Sequence, residues 1–197
     1  MIFNNLLNLV TDTYIFSKKK IRSLYLGSNI YNRKITASVV SSLEYYPSPN
    51  LLDSLIKYNK KKIDIENYSL NNMWENKELK EKDYKSLNSF FWLFSLDLKS
   101  SKKDIQDVIL QWIDQNHKYN SKGWEVDILA KRIISWTSNS RLTYEDCSTE
   151  YKNKFNAIIK KQINHLINEI EQSESVDDKL IGCAAIILTG LSYKDKN

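Results

Sequence analysis

Along most of the chain the apolar residues recur at helical rather than strand spacing. Leu87, Phe91, Phe94 and Leu98 follow the i, i+4, i+7, i+11 rule and fall on one stripe of a helix expected from Asp83 onward. Ile105, Val108, Ile109 and Trp112 do the same behind Ser100 or Ser101, either of which can cap the helix. Tyr151, Phe155, Ile158, Ile159, Ile163, Leu166 and Ile170 mark the broad apolar face of a long helix started by Cys147 or Ser148. A helix over residues 124–139 lies between these two, and a final apolar helix spans residues 176–191. Strict apolar/polar alternation, which half-buried strands need, is nearly absent. The pattern predicts an all-α fold.

Upstream the periodicity is weaker. Residues 3–26 form a first predicted helix that ends near Gly27. A second covers residues 34–46 and stops before Pro47 and Pro49, because the residue preceding a proline avoids the helical region. Pro49-Asn50 then opens a third helix, LLDSLIKYNKK. Residues 62–82 are polar without sustained periodicity and read as a long surface connection with one short turn around Trp74. Residues 116–123 read as a polar turn. Short connections between successive helices imply antiparallel neighbours, so the expected architecture is helical hairpins in series. Only 4 Gly and 2 Pro interrupt the chain, and 197 residues suit a single domain over residues 1–197 with a sizeable core.

Composition adds little beyond this. Hydrophobic residues at 42% and charged residues at 27% are the balance of a globular protein. The net charge of +5 raises nucleic-acid binding, but the lysines are scattered, and Lys18-Lys19-Lys20 and Lys60-Lys61-Lys62 are the basic runs. Solvated helix ends or loops explain them, so no nucleic-acid partner is expected. Cys147 and Cys183 are isolated, which argues against a zinc site or a disulfide framework. The N-terminus lacks a basic leader and is broken by Asn4, Asn5, Asn8 and Asp12, so it reads neither as a secretory signal nor as a membrane span. By sequence the expected compartment is cytoplasmic. No metal and no cofactor is expected, since the four glycines, at 27, 123, 182 and 190, cannot make a phosphate loop.

Two features could carry chemistry. Trp92, Trp112, Trp124 and Trp136 recur about once per predicted helix, where they either pack the core or line a groove whose rings stack on sugars. Arg132 falls within the apolar arc of its own helix, beside Ile128, Leu129 and Trp136. An inward guanidinium requires acceptors: a helix C-terminus, an acid such as Glu125 or Asp97, or a ligand carboxylate or sulfate. Of these the structural ion pair is the expected outcome. His117 in the polar turn reads as a surface residue, and His165 at the edge of an apolar face as a half-buried structural one. No arrangement for nucleophilic catalysis is visible.

The order FFWLFSLDL, then Trp112-Ile113, then W-x7-R-I-x2-W at Trp124, Arg132-Ile133 and Trp136 resembles the N-terminal helical region of heparinase II/III-like proteins. The resemblance is good over residues 84–192 and loose over the first 80. It implies part of an incomplete α/α toroid, a C-terminal β-sandwich domain of the same protein as partner, and a periplasmic location. It also implies an enzyme family that cleaves uronic-acid-containing polysaccharides by β-elimination, in which a neutralised carboxylate lets a positioned base take the adjacent proton. The family's catalytic Asn, Tyr and His match nothing in this sequence, and no catalytic residue is assigned. Trp92, Trp124, Arg132 and Trp136 are the candidate substrate-binding residues for an acidic polysaccharide. The alternative reading is a non-enzymatic helical-repeat scaffold that binds a protein or peptide.

Overall fold

The computed structural model describes residues 2–36, 41–46, 74, 80–96 and 101–193, with side chains from residue 9 onward. Among these residues there are eight α-helices and no strand: α1 (Ile2–Leu26), α2 (Asn29–Ile35), α3 (Glu81–Asn88), α4 (Lys102–Asn116), α5 (Val126–Ser138), α6 (Ser140–Thr143), α7 (Thr149–Glu169) and α8 (Val176–Tyr193). Short 3-10 turns follow α3 and α7 at Phe91–Ser95 and Ile170–Gln172.

The C-terminal helices start where the sequence places them. The Ser101 side chain accepts from the Asp104 amide at 3.3 Å, and that of Ser148 from the Tyr151 amide at 3.2 Å, each satisfying one orphan N–H of a first turn. α5 lies at the centre. Trp124 meets His165, Arg132 meets Gln162 and Trp136 meets Phe155, so α5 and α7 run antiparallel. Gly182 lies against Ile170, while Tyr193 hydrogen-bonds Asn156 at 3.1 Å, so α7 and α8 do too. A Cβ at Gly182 would stand 2.7 Å from the Ile170 side chain, which explains a glycine inside α8. The hairpin expectation holds for these two pairs. Buried apolar residues from Leu26 to Tyr193 form one contiguous core cluster.

Two predicted elements differ. The second helix begins earlier and is shorter than residues 34–46: Ser28 caps it by accepting from the Tyr31 amide at 3.1 Å, and Thr36 is already extended. Residues 41–46 carry no regular secondary structure; instead the Glu44 and Tyr45 amides both donate to the Ser192 carbonyl, at 2.9 and 3.0 Å. The segment is thus tied to the end of α8, and Leu43 is buried. The stripe from Asp83 is not one helix either. α3 ends at Asn88, Phe90 adopts a left-handed conformation (φ 55°, ψ 14°), and the chain continues as a 3-10 turn. Leu87 and Phe91 are buried, Phe94 is half-buried, and Leu98 lies outside the described residues. Ile170, expected on the apolar face of the long helix, instead opens the 3-10 turn after α7 and is only partly buried. The predicted third helix, Ser100, Asp97 and most of the 62–82 connection also fall outside the described residues. Trp74 does lie in a turn, its indole N–H donating to the Val108 carbonyl at 3.2 Å.

Candidate functional site

The candidate residues converge on one buried knot around Arg132. α5 points this side chain inward, and it is fully buried. Its Nη1 donates to the Asn88 carbonyl at 2.9 Å, Nη2 to the Gly123 carbonyl at 3.0 Å, and Nε to Gln162 Oε1 at 3.2 Å. The guanidinium carbon lies 4.1 Å from the centroid of the Trp112 ring, a cation–π contact in a desolvated setting. Trp112 in turn donates its N–H to Asn88 Oδ1 at 2.8 Å. Asn88 is the last residue of α3, so the cation sits on the negative end of a short helix.

Among the described residues no carboxylate takes part, where the sequence led to the expectation of an ion pair. Glu125 pairs with Lys85 at 2.8 Å instead, and Asp97 lies outside the described residues. Neutral carbonyls and a ring suffice because arginine spreads its charge over a plane that they can surround. Burial pushes its pKa down to about 9, which leaves it charged at neutral pH.

Trp92 and Trp136 wall this knot, and Trp124 belongs to the cluster beside it; each exposes at most 1% of its surface. Phe90 is the hub: its ring centroid lies 5.0 Å from that of Trp136, 5.4 Å from Trp92 and 6.1 Å from Trp112. Trp136 also meets Trp112 at 5.4 Å. The left-handed Phe90 backbone is what turns this ring inward.

Beside the knot is a second cluster. His165 is buried, with Nδ1 2.8 Å from the Tyr31 hydroxyl, and its ring contacts Tyr31, Tyr119 and Trp124. Burial pulls His165 down to about 4 and raises the Tyr31 hydroxyl, so both are neutral. His117 is exposed, as expected. Lys161, nearly buried, donates to the His117 carbonyl, and burial lowers its pKa. Asn88, Gln162, Phe90 and Tyr31 are the members that sequence reasoning missed. Gln162 carried a signal, being a polar residue inside the apolar arc of α7, as Arg132 is in α5.

An open pocket of about 290 Å³ adjoins this cluster, between the end of α1, the start of α5 and the turn from α7 to α8. Tyr119, Trp124 and His165 reach its wall, and Glu125, Asp127, Glu169 and Asp178 line it. Glu169 accepts from Arg22 at 2.7 Å, and Asp127 pairs with Lys131 at 3.2 Å. A smaller, mostly apolar pocket of about 150 Å³ lies between α7 and α8. Among the described residues no cluster of His, Cys, Asp and Glu could hold a metal, and no helix is long and apolar enough to cross a membrane. In comparisons with protein-family models, curated proteins and solved structures, nothing matches the chain.

Proposed function

We propose that the chain is part of an incomplete α/α toroid of the heparinase II/III-like kind, and that its contribution is scaffold rather than glycan contact. The observation that carries this reading is α8. Its inner side packs on α5, while Val176, Leu180, Ile187 and Leu191 point outward, each more than 60% exposed. From Leu180 to Tyr193 the helix carries no charged residue. An uncharged apolar face on the last of a series of antiparallel helices is what the next hairpin of the same protein would cover. The motif behind the resemblance has a structural rationale of its own: W-x7-R-I-x2-W builds the knot that locks α3, α4, α5 and α7 together. Trp92, Trp124, Arg132 and Trp136 accordingly serve the core in this reading, and the acidic polysaccharide is handled elsewhere in the protein.

The test is the genomic reading frame beyond the Asn197 codon, followed by expression of the whole frame. An in-frame continuation into further amphipathic helices and a β-rich segment, with β-elimination activity on a uronic-acid polymer, supports the reading. A stop codon directly after Asn197 overturns it. The same uncharged face would then favour the second reading, a scaffold that receives a helix of a separate protein.

A further inference from the structure

α1 is inside out for a helix of a globular protein. Projected at 3.6 residues per turn, the side facing the body carries Arg22 and Lys19, which reach Glu169 at 2.7 Å and Glu174 at 3.6 Å, with Leu26 buried behind them. The opposite side carries Leu9, Val10, Tyr14, Ile21 and Leu24, each 63–70% exposed, with Phe16 at its border; Tyr25 instead lays its ring 5.2 Å from that of Tyr31, and Ile15 falls on the body side. Charges thus hold the helix to the molecule and apolar side chains face outward, the reverse of the usual amphipathic arrangement.

Charge decides what covers that outward arc. Between residues 9 and 26 there are Lys18, Lys19, Lys20 and Arg22 against one acid, Asp12. Lys20 stands in the middle of the apolar arc, between the turns of Phe16 and Leu24. Pressed against a protein helix, its ammonium would be buried with no acid of α1 on that arc to compensate it, at high cost. At a phospholipid surface the four-carbon stem lets the ammonium rise to the phosphates while its neighbours enter the acyl boundary. Tyr14 suits that depth, one end apolar and the other wet. The lysine run adds attraction to an anionic leaflet.

We infer that α1 is a membrane-surface helix that lies in the plane of an anionic bilayer, its outward apolar arc inserted and Lys18 and Lys20 on the lipid phosphates, while Lys19 stays with Glu174 on the body side. The inference rests on α1 alone and stands apart from the reading of α8.

The experiment is co-sedimentation of the 197-residue chain with phosphatidylcholine vesicles, with and without phosphatidylglycerol. Binding is expected with phosphatidylglycerol, weakening as salt rises. Lys18→Gln and Lys20→Gln together should lower it about thirtyfold, and the pair Val10→Asp and Ile21→Asp should abolish it. All five tryptophans lie outside α1, so their emission checks that each variant keeps its core. The inference is overturned by absence of binding to anionic vesicles. Binding that survives the two aspartates also overturns it, as does a lipid-free dimer that those aspartates dissociate, which would make the arc a protein contact.

Discussion

Arg132 is a buried cation held by neutral acceptors, and that distinguishes what its removal would do. In an Arg132→Leu variant the Asn88 and Gly123 carbonyls and the Gln162 amide oxygen lose their donor in a dry interior. At about 1–3 kcal/mol for each unsatisfied group, the total loss is on the order of 3–9 kcal/mol, to be read from urea denaturation. A variant within 1 kcal/mol of wild type would show that the guanidinium holds nothing. Arg132→Lys should recover little, since one ammonium cannot reach three acceptors set around a plane. His165 supplies a pH signature. Burial holds it near 4, well below its ordinary value of about 6.5. The native state therefore refuses a proton that the unfolded chain accepts. Stability from this site is full above about pH 6.5 and drains away as pH falls toward 4, on the order of 3 kcal/mol in all. His165→Gln should flatten the pH dependence of the denaturation midpoint over that window, and an unchanged slope would assign the acid sensitivity to other groups.

At the scale of elements, what was legible in the sequence was whatever a single helix decides for itself. The caps at Ser101 and Ser148, the buried face of α4 and nearly all of the face of α7 follow from local periodicity and capping chemistry. The break at Phe90 does not. A phenylalanine offers no turn signal, and its left-handed backbone costs roughly 1–2 kcal/mol by itself. It persists because the ring it directs inward meets four tryptophans, Trp74, Trp92, Trp112 and Trp136, and deleting such a ring costs about 3–5 kcal/mol. Tertiary packing wins, and sequence periodicity cannot report it. Phe90→Gly should thus destabilise despite relieving the backbone, by about 1–4 kcal/mol on the difference of those terms; a stabilised variant would show the strain to be the larger. Ile159→Ala in α7, at a site with no exposure, should cost about 2–5 kcal/mol, and Phe94→Ala less, because Phe94 is only half-buried. The candidate site was legible as a set of residues but not as a place. Trp124, Arg132 and Trp136 do converge with Trp92, yet whether inward rings form a cleft or a core depends on what lies across from them. Phe90, Asn88 and Gln162 come from other elements.

For the whole molecule, stability falls off outward from α5. That helix touches α3, the 3-10 turn after it, α6, α7 and α8, and holds the knot. α1 touches the body chiefly through α2 and the two ion pairs, and its residues 9–21 are all exposed. Local opening follows local contact density, so amides of residues 9–20 should exchange with near-zero opening free energy while those of α5 exchange only through global unfolding. Arg22 is the pin between the two regimes. Its guanidinium makes both Nε and Nη2 contacts to Glu169, whose side chain is only 12% exposed, whereas Lys19 and Glu174 are well solvated and hold little. Arg22→Ala should release the last turns of α1: hydrogen exchange should accelerate at residues 21–26 and leave α5 unchanged, with the thermal midpoint nearly constant. If exchange in α5 rises in step, α1 belongs to the cooperative core and the outward decline of stability is wrong. If α1 alone loosens, the helix is an appendage on an ionic hinge, free to reorient against a surface while the tryptophan knot stays closed.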